Sequence, residues 1–183
     1  MRVRDLFDKA NVLPIVQAHA DTMSSYRTGR PLVSDYLFFF GFPVLLGGAL
    51  LAFRFGFRVD AVMGFLNAFA ILTGLMLNML VLVFSISVSI SESNRTDMGV
   101  RRRVLKEIFT NVCYCIIVAV GATLTSLVAL SYMRSQAGAK TGPIATFLLT
   151  SLTANFALCL MMILKRMYKL LSNEFDMAGR KAA

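Results

Sequence analysis

Four long segments of this chain contain no charged residue and no histidine, and this pattern restricts the chain to few folds. They span residues 36–53, 61–90, 108–133 and 143–164. Each is close to the roughly 20 residues that an α-helix needs to cross the hydrocarbon core of a bilayer. A charge at the centre of such a helix costs about 2.5–3.5 kcal/mol on insertion scales. Segments whose charges lie only at their edges therefore indicate membrane crossings.

The composition agrees with a chain that is largely surrounded by lipid. Apolar residues make up 57% of the chain and charged residues 16%, whereas soluble domains carry about 25% charged residues. Backbone groups in lipid have no water to bind, so membrane crossings are helices or closed barrels. The segments are too long for barrel strands, and they lack strict alternation of apolar and polar residues. The sequence therefore predicts an all-α polytopic membrane protein with four transmembrane helices.

The basic residues are distributed unevenly between the two sides of the membrane. Fifteen of the 19 Lys and Arg residues lie before the first segment, between the second and third, or after the fourth. The remaining four lie in two short connections on the opposite side: Arg54, Arg58, Arg134 and Lys140. Because basic loops are retained in the cytoplasm, we expect both termini there. The expected location is the plasma membrane, which is the inner membrane of a Gram-negative cell.

Three regions follow from this topology. Residues 1–35 form a cytoplasmic or interfacial N-terminal arm, in which a short amphipathic helix is predicted, interrupted near Pro14. Residues 36–166 form the transmembrane domain, with a basic cytoplasmic loop at 91–107. Residues 167–183 form a cytoplasmic tail that is expected to continue the fourth helix.

A polar stripe on the second segment is the most informative feature inside the predicted membrane region. Its residues are separated by 7, 4, 7 and 4 positions, which returns them to one face of a helix: Asn67, Gly74, Asn78, Ser85 and Ser89. Asparagine is costly to expose to lipid. The stripe is therefore either packed against other helices of the same four-helix bundle or lines a polar path at the axis of an oligomer. The third segment carries a similar line: Asn111, Cys115, Ala122, Ser126 and Ala129.

A basic cluster precedes the third segment: Arg95, Arg101, Arg102, Arg103 and Lys106. Binding of these residues to anionic lipid headgroups, at about 1 kcal/mol per charge, is sufficient to explain the cluster. A cytoplasmic protein partner or a phosphate-bearing ligand such as an oligonucleotide can use the same charges, because the guanidinium group matches phosphate geometry. These alternatives remain open from the sequence.

Groups that carry out catalysis or bind metals are missing from the sequence pattern. His19 is the only histidine, and the three cysteines, Cys113, Cys115 and Cys159, lie inside apolar segments. No paired carboxylates, Ser/His pair or nucleotide-binding glycine loop is found. We therefore expect no enzyme, no cofactor and no metal site. The lack of charges inside the segments also disfavours a proton-coupled transporter.

Two stretches, Leu66–Asn78 and Leu105–Asn111, together with the layout of the chain, carry a resemblance to known proteins. Four crossings with short external loops, internal termini and basic cytoplasmic elements resemble the small membrane subunits of bacterial anti-phage systems, such as the membrane partners of the Hailong and Kiwa systems. The resemblance implies an oligomeric channel or a membrane-perturbing effector, controlled by a soluble partner or by an oligonucleotide that such a partner makes.

The functional prediction is a homo-oligomeric membrane channel or membrane-perturbing effector that is gated from the cytoplasm, with a role in anti-phage defence. The alternative is a non-conducting membrane anchor that recruits a cytoplasmic partner through its basic loop and termini. A small transporter subunit is the weakest of the three, because no coupling site is found.

Overall fold

The computed structural model describes residues 11–22, 36–92, 98–134 and 140–182, and every regular element in these ranges is a helix. Helix α1 spans Leu13–Asp21. A π-helical turn at Leu37–Gly41 leads into α2, which spans Phe42–Ala52. The three longest helices follow, and their bounds are Val59–Glu92 for α3, Met98–Arg134 for α4 and Pro143–Ala182 for α5.

Three of the described helices, α3, α4 and α5, are long and apolar enough to cross a membrane. The first predicted crossing corresponds to a shorter apolar helix, Leu37–Ala52, which is about 24 Å long at 1.5 Å per residue. The all-α class and the membrane character are thus confirmed. The fourth crossing and the side on which the termini lie remain predictions.

Helices α4 and α5 form the centre of the bundle. Helix α3 packs along α4, whereas α2 packs along α5 and α1 packs against α4. The contact between α2 and α5 is close, because a Cβ added at Gly47 would clash with Ser151 and lie 2.9 Å from the Phe147 carbonyl oxygen. The main apolar core joins α3, α4 and α5, with Phe69, Ile108 and Phe156 among its buried residues.

The π-helical turn before α2 has a cause in the sequence. Pro43 has no N–H, so it cannot donate the helical bond to the carbonyl of Phe39, four residues earlier. The Asn155 side chain of α5 donates to that carbonyl instead, at 3.4 Å. In return, the Ser151 hydroxyl donates to the Pro43 carbonyl at 3.1 Å. The defect in the helix is therefore used to attach α2 to α5.

The connection from α2 to α3 is held by backbone and hydroxyl bonds. Arg54 has a φ of 51°, and the N–H groups of Arg54 and Phe55 donate to Leu51 and Leu50 at 3.0 Å, as in a Schellman motif. Two bonds then tie this loop to the start of α5: the Thr141 N–H donates to the Phe57 carbonyl, and the Phe57 N–H to the Thr141 hydroxyl.

One expectation about helix bounds needs correction. Residues 98–107 were expected in a loop, but α4 already begins at Met98, because Leu105 and Ile108 are buried in the core and extend the helical face. The expected interruption of the N-terminal helix near Pro14 stays a prediction, because residues 1–10 lie outside the described range; α1 begins at Leu13, and Pro14 occupies its first turn, where a missing N–H costs nothing. The expectation that the tail continues the fourth helix is confirmed, since α5 runs to Ala182.

Candidate functional site

The polar stripe of the second segment lies on the outside of the protomer. Asn67, Gly74, Asn78 and Ser85 are all exposed, and the side chain of Ser89 is outside the described residues. The buried seam of α3 repeats every seven residues at Val62, Phe69, Met76 and Val83. The stripe lies roughly opposite this seam, about 140–200° around the helix at 100° per residue. The described helices of this chain therefore leave these four residues of the stripe uncovered.

The similar line on the third segment has the opposite placement. All five of its members are buried inside the protomer: Asn111, Cys115, Ala122, Ser126 and Ala129. Small side chains at these positions allow α3 and α5 to approach α4 closely. For α4, the interpretation as a helix-packing surface is confirmed.

A buried polar site, which the sequence did not reveal, joins α1 to the bundle. His19 is fully buried, and its ring stacks on Tyr114 with a centroid distance of 3.8 Å and an interplanar angle of 5°. The His19 Nδ1 and Asn111 Oδ1 atoms are 2.8 Å apart. Because an amide oxygen can only accept, the neutral ring carries its proton on Nδ1. The Thr22 hydroxyl lies 3.0 Å from the same amide oxygen.

The C-terminal end of α1 is bound by a charged side chain of α5. Arg166 donates from Nη2 to the Thr22 carbonyl at 2.6 Å, which is a favourable place for a cation at a helix C-terminus. Its Nη1 atom lies 3.1 Å from Glu107 Oε2 on α4. Glu107 Oε1 in turn lies 3.3 Å from Nε of Arg103. A continuous series of polar contacts therefore links α1 to the basic end of α4.

Burial controls the protonation of His19. Loss of hydration lowers the pKa of His19 to about 4, against a smaller raising effect of the Asn111 hydrogen bond and a further lowering by the positive charge of Arg166. The ring is therefore neutral near pH 7. The Nε2 atom has no hydrogen-bond partner among the described residues.

A sequence signal for this site exists but is weak. Ile15, Val16 and His19 share one face of α1, and both Ile15 and Val16 pack against the core. A histidine on the apolar face of a helix needs a buried partner, and Asn111 is a polar residue in an apolar segment. The sequence does not say that these two residues, 92 positions apart, meet.

The predicted basic cluster is only partly described. Arg95 and the side chain of Arg101 lie outside the described residues, while Arg102, Arg103 and Lys106 are exposed on the first turns of α4. These three side chains line a cavity of about 520 Å³ between α3 and α4, together with apolar residues of both helices. No group of three or more His, Cys, Asp or Glu residues that could hold a metal ion occurs in the described ranges.

Comparison with known proteins gives no assignment: no protein-family model, no curated protein and no solved structure matches this chain.

Proposed function

We propose that this protein is a homo-oligomeric membrane channel or membrane-perturbing effector, in which the exposed stripe of α3 faces the axis of the assembly. The observation that carries the proposal is the exposure of Asn67 and Asn78 on a helix of mean hydropathy 2.3. An amide that reaches hydrocarbon without a hydrogen-bond partner costs several kcal/mol. Facing α3 helices of neighbouring copies, or water along an axis, can supply the partner.

The open space along the stripe supports close contact between copies. A Cβ added at Gly64 or Gly74 meets no atom within 4 Å. Glycine at such positions lets two helix backbones approach each other in a membrane, as small residues commonly do at helix contacts. A single protomer is too thin to enclose an aqueous path, so conduction requires several copies.

Control from the cytoplasm is the second part of the proposal. Helix α1 is joined to α4 through His19 and Asn111, and to α5 through Arg166. A ligand or partner that displaces α1 would break these buried contacts and change the packing of α4, which is the helix that holds α3. A role in anti-phage defence belongs to this proposal, on the strength of the resemblance in layout alone.

The alternative, a non-conducting anchor, is favoured by a different observation. Arg102, Arg103 and Lys106 are exposed at one end of α4, where an acidic or phosphate-bearing partner can bind them. In that case α3 serves only to hold the chain in the bilayer.

Oligomeric mass separates the two functions. The full chain purified in detergent is measured by native mass spectrometry, beside Asn67→Leu, Asn78→Leu and the control Ser131→Leu, a polar-to-Leu change at an exposed position of α4. We expect an assembly of several copies that the two α3 variants dissociate and the control does not. A monomeric parent protein would exclude the channel.

Ion flux from liposomes tests the conducting function itself. We expect the parent protein to release ions, and Asn78→Leu to reduce the rate by removing a polar group from the path. Charge reversal at Arg102 and Arg103 is expected to alter control while leaving membrane insertion intact. A parent assembly that passes no ions, with or without its cytoplasmic partner, would favour the anchor.

A further inference from the structure

A groove lies between α3 and α4 at the end of the bundle where α3 finishes and α4 begins. It has a volume of about 520 Å³, within the range of sites that hold small ligands. One part of its lining is apolar and consists of Val83, Phe84, Leu105 and Phe109. The other part is polar and basic and consists of Ser87, Arg102, Arg103 and Lys106. The groove is thus amphipathic along its length.

The position of the groove relative to the bilayer gives this division its meaning. The apolar windows of the two helices cover Val59–Val88 and Arg102–Arg134. The groove therefore lies at the last turns of one window and the first turns of the other, where hydrocarbon meets the headgroup region. Phe84 and Phe109 are exposed, with 62% and 40% of their surface accessible, so the apolar part opens sideways towards lipid.

We propose that this groove binds one anionic phospholipid of the adjacent leaflet, with an acyl chain against Phe84 and Phe109 and the phosphate at the basic residues. By the distribution of basic residues in the sequence, this is the cytoplasmic leaflet, where anionic lipids attract Lys and Arg. A phospholipid matches both parts of the lining at once. A soluble phosphate compound would leave the apolar part uncovered.

The charges at the mouth of the groove suit a phosphate. Glu107 is bonded to Arg103, but it also pairs with Arg166 of α5, so the local sum of charges stays positive. The guanidinium of Arg102 and the ammonium of Lys106 lie one helical turn apart, on the same side of α4. A phosphate held between them receives a planar fork of donors and a point charge. The site needs these positive charges at its mouth, whatever other contacts the arginines make.

Lipid titration of the delipidated full chain in an uncharged detergent tests the site. Phosphatidylglycerol, phosphatidylcholine and inorganic phosphate are added separately, and binding is followed by the thermal unfolding midpoint and by native mass spectrometry. We expect saturable binding of phosphatidylglycerol, at least tenfold weaker binding of phosphatidylcholine and no effect of inorganic phosphate. Arg102→Gln and Lys106→Gln should each weaken phosphatidylglycerol binding about fivefold, the factor for one surface charge.

Matched variants separate the site from general attraction to anionic lipid. Lys140→Gln changes a basic residue at the opposite end of the bundle, and Leu82→Ala changes an exposed apolar residue of α3 outside the groove. Neither should alter binding, whereas Phe84→Ala should weaken it. Each variant must show the unfolding midpoint of the parent protein in the absence of lipid.

Three outcomes would overturn the proposal. If phosphatidylcholine bound as tightly as phosphatidylglycerol, the groove would not recognise the negative charge of the headgroup. If inorganic phosphate bound as tightly, the ligand would be a soluble phosphate compound instead. An equal loss in Lys140→Gln and Lys106→Gln would show a nonspecific effect of net charge. Native mass spectrometry gives the number of bound lipids per chain. This number does not depend on whether the protein is an oligomer or a channel, so the test of the groove is separate from the test of the proposed function.

Discussion

Helices α3 and α4 have almost the same apolar character, yet the protomer uses them in opposite ways. The mean hydropathy of their most apolar windows is 2.3 and 2.2, but 17% of the first window is buried and 44% of the second. Helix α3 buries one narrow seam, whereas α4 is covered by α3, α5 and α1. Hydropathy therefore indicates that both helices suit a membrane, but it does not indicate which helix is central in the bundle.

The polar residues of the two helices show the consequence of this difference. Asn111 and Ser126 of α4 are buried inside the protomer, and both make hydrogen bonds there. Asn67 and Asn78 of α3 face outwards. The central helix therefore places its polar side chains against the rest of the chain, although Asn111 Nδ2 has no hydrogen-bond partner among the described residues, while the peripheral helix leaves its asparagines exposed.

The largest effect is expected from removing the buried amide of α4. Asn111→Leu leaves the His19 Nδ1–H without its acceptor and removes one of the two acceptors of the Thr22 hydroxyl, which keeps the His19 carbonyl at 2.7 Å, and should destabilise the protomer by about 3 kcal/mol. Asn78→Leu, the same change on the exposed face of α3, should leave the stability of the isolated protomer unchanged. Thermal unfolding in detergent, under conditions where both variants are monomeric, measures the two. Equal losses would mean that Asn78 is also packed within the protomer.

Glycines on covered and open faces should respond differently to an added methyl group. Gly47→Ala forces α2 away from the Phe147 carbonyl and Ser151 of α5, at a cost of about 2–3 kcal/mol. Gly74→Ala on α3 meets nothing within 4 Å and should stabilise the protomer by up to about 1 kcal/mol, because alanine favours the helix. If α3 helices meet in an oligomer, the same variant lowers the oligomeric mass. A destabilised Gly74→Ala monomer would contradict the open face.

Acid should release α1 before it unfolds the bundle. The pKa of His19 is about 4 in the folded protein and 6.5 in a hydrated state. The docked helix is therefore fully stable above pH 6.5 and loses stability as the pH falls towards 4, with about 2 kcal/mol lost at pH 5. Hydrogen exchange of residues 13–21 should become faster at pH 5 than at pH 7.5, after correction for the intrinsic rate.

The control for this pH effect is His19→Gln, which keeps a polar group in the site but has no titrating ring. Its α1 should be docked less tightly at pH 7.5 and show no further weakening at pH 5. A parent protein with pH-independent protection of α1 would exclude His19 as the titrating group, and unchanged pH dependence in the variant would assign it to another residue.

The smallest effect concerns the two partners of Glu107. The side chains of Arg166 and Glu107 are 16% and 14% exposed, whereas that of Arg103 is 61% exposed. Arg166→Gln also weakens the bond to the Thr22 carbonyl and should cost about 1–2 kcal/mol. Arg103→Gln removes a solvent-exposed pair and should cost less than about 0.5 kcal/mol. Unfolding midpoints of both variants in lipid-free detergent show which substitution causes the larger loss of stability. A larger loss for Arg103→Gln would reverse the assigned order.

Much of the helical pattern could be predicted from the sequence because each helix has its own local signal. The second segment was expected at 61–90 and α3 spans Val59–Glu92; the fourth was expected to begin at Pro143 and does so. The early start of α4 was missed, because Arg101, Arg102 and Arg103 look like a loop in a scan for charge-free segments. Those residues are helical because the buried residues Leu105 and Ile108 extend the packed part of the helix to this end.

The candidate sites also differ in whether the sequence could predict them. The α3 stripe was visible in the sequence because all its members lie on one helix, where spacing alone defines the face. The alternatives for its partner could not be separated, since that depends on which helix covers which. The site around His19 was missed because it joins α1, α4 and α5, and no single segment shows its pattern.

By itself, the sequence determined that this chain forms long apolar helices, since segments without charges and with unpaired backbone groups have no other stable form in lipid. The tertiary structure alone decided that α4 is central and α3 peripheral, and that His19 is buried against Asn111 and Tyr114. The physical reason is the distance along the chain over which each kind of interaction acts. Helix formation depends on residues three and four positions apart, whereas the choice of packing partners depends on small residues, a proline defect and buried polar groups that meet across the whole chain.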